Sequence, residues 1–267
     1  MTDDLPAQTK FQWLARFGFV MRGLLYIVIA WLVIVNGRTE DLTGAMAYLG
    51  HGVGRGLLIF LAVGMAGYGA WRLCDAAFGM DSGRHHGKAW RKRVAAAGSG
   101  TIYLYLAWKA CRFMLGYYAE TTSVHQNAAT ALHLPAGDIA LGIAATVLAG
   151  AGVVQFYKAA SCSFLDDLSE AASEPFARWV GRIGYTARGI IFLTVGWLLA
   201  KAALSHRAAD AGGLEQALDA LRGPLQFPIA AGLAFFGAYS IIEARYRTIH
   251  HPPTQQIKRK VAAAVDA

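Results

Sequence analysis

Charge is what this chain has least of. Only 16% of its 267 residues are Asp, Glu, Lys or Arg, against about 25% in an ordinary soluble domain. Hydrophobic residues make up 55%, and the mean hydropathy is +0.36. A soluble core of this size has no use for so much apolar surface, whereas six bilayer-crossing helices of about 20 residues each would use it. Cysteine is scarce too. Cys74, Cys111 and Cys162 show neither C-x-x-C spacing nor an even pairing, which argues against a disulfide framework or a thiolate metal site. Catalytic signatures are missing as well: there is no Walker loop, no G-x-S-x-G elbow and no paired-histidine zinc motif. The pairs His85-His86 and His250-His251 fall in a loop and the tail. These gaps predict no metal, no cofactor and no enzyme activity. The first ten residues lack the basic segment and small-residue cleavage site of a signal peptide, so the first apolar run is expected to stay in the mature protein.

What the chain does have is a repeat. Arg16-Phe-Gly-Phe-Val-Met-Arg-Gly-Leu-Leu-Tyr26 returns as Arg182-Ile-Gly-Tyr-Thr-Ala-Arg-Gly-Ile-Ile-Phe192. A weaker copy begins at Gly100. Each copy places a glycine, an aromatic three residues on and a tryptophan five further: Gly23/Tyr26/Trp31, Gly100/Tyr103/Trp108 and Gly189/Phe192/Trp197. We read these glycines and tryptophans as helix-packing positions. The apolar runs predict helices near 17–35, 56–78, 94–117, 139–157, 183–204 and 225–242. A short external segment joins each pair, at 43–49, 126–132 and 215–221. In the third, Leu214, Ala217, Leu218 and Leu221 fall at i, i+3, i+4 and i+7, the pattern of an amphipathic helix on the membrane or on the bundle. The chain therefore reads as an all-α polytopic membrane bundle forming one domain over 1–267. Its repeats are 13–80, 92–160 and 178–248, with tails at 1–12 and 249–267.

Small residues recur every fourth position in the second helix of each repeat: Ala62/Ala66/Ala70, Ala145/Ala149/Val153 and Ala230/Ala234/Ala238. Gly142, Thr146 and Gly150 add a further face. Such stripes let helix backbones approach closely in lipid; whether they meet within a chain or between chains is left open by the pattern.

The net charge of +8 follows topology. Of the 25 Lys and Arg, 18 lie on the side of the N-terminus, the 72–93 and 158–188 stretches and the tail, and 7 on the other. This bias predicts both termini in the cytoplasm. No basic stripe interleaved with aromatics marks a nucleic-acid face. All three units then start and end on one side, as parallel repeats around an axis along the membrane normal.

The repeated Arg-x-Gly-x-x-x-Arg-Gly-x-x-Tyr/Phe motif and the segment Gly237-Ala-Tyr-Ser-Ile-Ile-Glu-Ala-Arg-Tyr-Arg247 resemble the bacterial family called domain of unknown function 1206. The resemblance covers nearly the whole chain in three tandem copies. It implies a six-helix bacterial inner-membrane protein and brings no catalytic residues. The middle copy departs from the motif, with Ser99 where Arg22 and Arg188 stand and Ala95 where Gly18 and Gly184 stand.

Ionisable residues within membrane helices are costly, so each is a functional candidate with a partner to be named. Equal depth within a hairpin predicts two ion pairs, Arg22 with Asp75 and Arg188 with Glu243. The middle repeat has Ser99 and Lys158 at these positions, a candidate site for an anion or acidic lipid headgroup. Lys109, with Arg112 on the same face and Asp138 as nearest counter-charge, marks a candidate polar cavity. A structural protein that binds lipid or another membrane protein is the expected role. The alternative is a channel or transporter for a small ion or anion. A wet path from Lys109 and Arg112 to the Arg22 level would favour transport, and a dry centre packed by Trp31, Trp108 and Trp197 would favour binding.

Overall fold

Proline-free runs of Leu, Ile, Val and Ala can satisfy their backbone N–H and C=O groups through the helix's own ladder, which lipid makes compulsory. The computed structural model describes residues 5–37, 54–78, 89–115, 124–134, 136–166, 168–169 and 175–247. In chain order the helices are α1 (Leu5–Asn36), α2 (Gly54–Phe78), α3 (Ala89–Met114), α4 (Val124–Leu132), α5 (Gly137–Ser161), α6 (Pro175–Ser205), α7 (Leu214–Ala220) and α8 (Gln226–Tyr246), with a 3-10 turn at Ala208–Asp210. Among the described residues, four stretches are long and apolar enough to cross a membrane: Arg16–Val35 within α1, and all of α5, α6 and α8. The expected external segment at 43–49, the loop at 79–88 and the tail from 248 lie outside the described residues.

Two helices begin well before the point that hydropathy predicts. α1 starts at Leu5 instead of residue 17, and α6 at Pro175 instead of residue 183. Hydropathy marks where an apolar solvent would begin, not where the backbone stops being helical. Pro175 also suits a first helical position, where its missing N–H costs nothing.

The packing order is an arc: α3, α2, α1, α8, α6, α5. Its three most extensive interfaces, α2 on α3, α5 on α6 and α8 on α1, each join the second helix of one repeat to the first helix of the next, with the third repeat returning to the first. One device makes all three. A Cβ on Gly23 of α1 would lie 2.6 Å from the Gly237 carbonyl oxygen of α8, and one on Gly100 of α3 would lie 3.0 Å from the Gly69 oxygen of α2. A Cβ on Gly152 of α5 would lie 3.1 Å from the Gly189 oxygen of α6. Close glycine crossings let Cα–H groups face carbonyl oxygens, worth about 0.5–1 kcal/mol each, and they bring extended surfaces into contact where lipid supplies no hydrophobic drive. Gly23, Gly100 and Gly189 are thus packing residues as expected. Their partners Gly69, Gly152 and Gly237 share one position in the repeat.

Interfaces within a repeat are smaller, and in the middle repeat the described residues form no extensive one. α1 packs on α2 and α6 on α8, but among the described residues no packed interface joins α3 to α5. The reason is side-chain bulk. A Cβ on Gly64 would come within 2.0 Å of Met21, and one on Gly232 within 2.5 Å of Ala187. A Cβ on Gly18 would lie 2.5 Å from the Tyr68 Cβ, and one on Gly184 would lie 2.6 Å from the Phe236 Cα. The middle repeat has Val147 where Gly64 and Gly232 stand, and Ala95 where Gly18 and Gly184 stand. Val147 is 64% exposed, and Gly98 has open space before it. The threefold ring that the repeats predict is therefore open along one side, between α3 and α5.

The core lies inside the arc, where Leu25, Ile29, Leu32, Leu58, Leu61, Met65, Leu233 and Phe236 are inaccessible. α7 lies on the bundle, with Ala217 and Leu218 fully buried and Leu214 and Leu221 packed behind them. α4 packs with α5 and the 3-10 turn, around Ala128, Leu141, Ala202 and Ala211. The tryptophans reverse the expectation. Trp31, Trp108 and Trp197 are all exposed, and the motif aromatics Tyr26, Tyr103 and Phe192 join the core instead. Eight residues separate glycine from tryptophan, a little over two turns, and that drift carries the tryptophan off the glycine's face.

Candidate functional site

The opening arginines of the first two copies serve the repeat packed before them. Arg16 donates to the carbonyls of Ala244 and Arg245, at 2.8 and 2.5 Å, at the end of α8. Arg93, its counterpart, donates to Ala76 and Ala77, at 2.6 and 2.5 Å, at the end of α2. A cation on the last carbonyls of a helix satisfies orphan acceptors and complements the negative end of the helix dipole.

The second arginine of the motif enters the centre of the bundle. Arg22 lies about 9 Å past Arg16 by helical rise. It donates through Nη2 to the Glu243 carboxylate, through Nη1 to the Tyr68 hydroxyl at 2.9 Å and through Nε to Ser240 Oγ at 3.1 Å. Glu243 also accepts from Arg247 Nη1 at 2.5 Å. All of these side chains are buried. Phe19, Tyr68 and Phe236 surround the Arg22 guanidinium, with ring centroids 4.9, 5.3 and 5.3 Å from Cζ.

The acid that holds Arg22 is therefore Glu243 of the third repeat, and the expected pairs Arg22–Asp75 and Arg188–Glu243 are replaced by one pair that runs across repeats. This follows from the glycine crossings, because Gly23 seats α1 against α8 and carries Arg22 to that helix. Asp75, also buried, accepts from Arg72 Nη1 at 3.4 Å. Arg72 Nε also donates to Ser99 Oγ at 2.9 Å, so Ser99 is engaged across the α2–α3 interface.

Arg188 occupies the Arg22 position in the third repeat, and its surroundings differ. Its guanidinium sits over Phe236, Phe192 and Tyr26, at 4.3, 5.0 and 5.6 Å. Its Nε is buried without a hydrogen-bond partner, and so is the side-chain oxygen of Gln155 on α5. Lys158, one turn beyond Gln155, holds its ammonium 5.7 Å from the Tyr185 ring and acts electrostatically on Glu243. Ser99 and Lys158, expected to form one site, stand on the two helices that flank the opening.

The outer candidates are not brought together. Lys109 stands over Tyr105 at 5.8 Å and Arg112 over Trp108 at 5.2 Å, on the exposed aromatic face of α3. Asp138 lines a groove of about 580 Å³ between α5 and α6. The polar cavity expected from these three residues is therefore not formed by them. Among the described residues no group of three His, Cys, Asp or Glu side chains has a metal-binding arrangement. Sequence reading missed Tyr68, Arg72, Gln155, Phe236, Ser240 and Arg247. Carrying the repeat spacing through the second helices would have found the first five.

Described residues that are almost wholly helical, with four helices long and apolar enough to cross a membrane, define a helical membrane-type protein. The chain belongs to the family described as Domain of Unknown Function (DUF1206), whose model matches residues 17–79, 94–161 and 183–247. It is similar to the Bacillus subtilis (strain 168) protein called uncharacterized protein YxxB, with 28% identity over 260 residues, 91% of this chain and 94% of that one. No solved structure matches it.

Proposed function

We propose that this protein is a multi-pass protein of the bacterial inner membrane that binds anionic lipid headgroups and catalyses no reaction. In this reading the six long helices all cross the bilayer as three hairpins of one orientation, and both termini are cytoplasmic. The bias of 18 against 7 basic residues supports that orientation.

One observation carries the lipid reading. Arg22, Arg188, Lys158 and Arg247 gather around Glu243 and the Phe236 ring, so cations outnumber the acid at a depth close to the cytoplasmic headgroups. Basic pockets between helices on that side suit anionic headgroups, and the unpacked α3–α5 side supplies lateral access. Conduction of an ion finds less support: Lys109 and Arg112 stand over outward-facing rings, and apolar side chains fill the core inside the arc.

Native mass spectrometry of the purified full-length protein tests this reading. Retained phosphatidylglycerol or cardiolipin, in preference to phosphatidylethanolamine, is the expected result. Loss of all anionic lipid in mild detergent, or a C-terminal reporter that reads periplasmic, overturns it.

A further inference from the structure

The three hydrogen-bond partners of Arg22 can be followed to the equivalent positions around Arg188. Repeat spacing matches Arg22 with Arg188, and Gly23 with Gly189. On the helices packed against them it matches Tyr68 with Phe236, Ser240 with Gln155 and Glu243 with Lys158. Close contact between Gly152 and Gly189 sets the same register between α5 and α6 as Gly237 and Gly23 set between α8 and α1. Gln155 and Lys158 are therefore brought to the level of Arg188. Every partner has changed its chemistry: the hydroxyl has become a bare ring, the serine an amide, and the carboxylate a second cation. Two orphaned atoms, the Arg188 Nε donor and the Gln155 oxygen acceptor, are what those changes leave behind.

A buried unpaired donor and a buried unpaired acceptor are costly, at about 1–3 kcal/mol each and more for a charged group. A ligand that supplies both complements removes that cost. We propose that Arg188, Gln155 and Lys158 form a binding subsite for a phosphate group with a free hydroxyl beside it. The phosphate oxygens accept from Arg188 and face the Lys158 ammonium, and the hydroxyl donates to Gln155. The rings of Tyr26, Phe192 and Phe236 hold the guanidinium in place behind the ligand. The ligand reaches the subsite through the opening between α3 and α5, which Val147 and Ala95 keep from closing. This inference rests on the lipid reading above and names the headgroup class and the residues that select it. A phosphatidylglycerol headgroup and free glycerol phosphate share this chemistry.

The test uses the full-length protein, stripped of lipid in detergent and titrated with dihexanoylphosphatidylglycerol, dihexanoylphosphatidylcholine or glycerol phosphate, with binding read by native mass spectrometry and thermal shift. The wild type is expected to bind the glycerol headgroup one to one and the choline headgroup at least tenfold more weakly. Arg188→Gln is expected to weaken glycerol-headgroup binding tenfold or more, the loss typical of a hydrogen bond to a charged group. Gln155→Leu is expected to weaken it severalfold while leaving any choline-headgroup binding unchanged. Phe236→Tyr, which offers Arg188 a hydroxyl of its own, is expected to weaken it without removing charge and keeps the test decisive if Arg188→Gln fails to fold. Lys109→Gln is the control expected to change nothing. Equal binding by the wild type, Gln155→Leu and Phe236→Tyr overturns the subsite and leaves the general lipid reading standing. Failure of the wild type to bind either glycerol compound, or equal binding of the glycerol and choline headgroups, also overturns the subsite, and absence of any retained anionic lipid overturns both. Preference for the lipid over glycerol phosphate assigns the source to the bilayer, and equal binding assigns it to the soluble compound; both support the subsite.

Discussion

Arg22 and Arg188 begin from the same motif and end in different chemistry. Each lies beside a close glycine crossing and has its guanidinium over aromatic rings, including one they share, Phe236. Around Arg22 the protein supplies a carboxylate, a phenol and a serine hydroxyl. Around Arg188 it supplies rings, and the repeat-equivalent of Ser240 on α5 is an amide whose oxygen is itself unsatisfied. A buried cation needs a counter-charge wherever it sits. The first pocket carries its own, and the second is built to receive one.

The largest expected effect tests the completed pocket. Glu243→Gln leaves Arg22 and Arg247 without their acid, and breaking a buried pair by removing one partner costs about 3–5 kcal/mol. Thermal melting in detergent should fall steeply. Asp75→Asn should cost less, because the side chain of Arg72 beside it is 20% exposed. Equal losses would show that the α1–α8 pair is not special.

Next come the crossings that create both pockets. Gly237→Val pushes a side chain against the Gly23 backbone oxygen and should cost about 1–3 kcal/mol together with the Arg22–Glu243 contact. Gly142→Val meets open space and should leave melting unchanged. A smaller pair of changes exchanges the pockets' phenol: Tyr68→Phe should lose about 1 kcal/mol and Phe236→Tyr should regain a similar amount, both read as melting shifts. Opposite signs sharpen the contrast between pockets, and equal signs break it.

The smallest effect lies in the 3-10 turn at Ala208–Asp210. Asp210 accepts from Lys201 Nζ at 2.7 Å and from Ser205 at 2.8 Å, and these hydrogen bonds hold its carboxyl below the usual range. A depressed pKa contributes stability above the unfolded value of about 3.9, and that contribution fades as pH falls through the folded value. Asp210→Asn should lower melting slightly at pH 7, flatten the acid side of the melting profile and leave melting at the acid extreme unchanged.

Helices and repeats were legible because a 20-residue apolar run and a spaced Gly–aromatic–Trp motif need no tertiary information. The ion pairs were not, because equal depth is satisfied by a neighbour on either side. Nothing in the Arg22 motif says whether Asp75 or Glu243 is nearer; the Gly23–Gly237 crossing decides it, and that crossing appears only when glycines on two distant helices are read together. The opening between α3 and α5 was half legible. Ala95 was visible as a departure from glycine, while Val147 looked like an ordinary member of an apolar helix until Gly64 and Gly232 showed what that position requires. The tryptophans were misplaced because a shared interval indicates a shared role without indicating which way the side chain points.

The acid that holds Arg22 lies on α8, which follows every other described helix in the chain. Synthesis must therefore pass residue 243 before Arg22 can meet its acid, and until then the first helix carries a charge whose partner has yet to be made. A transcript cut short before codon 243 would yield a chain whose leading helix never acquires its counter-ion, giving quality-control proteases a ready mark of incomplete assembly.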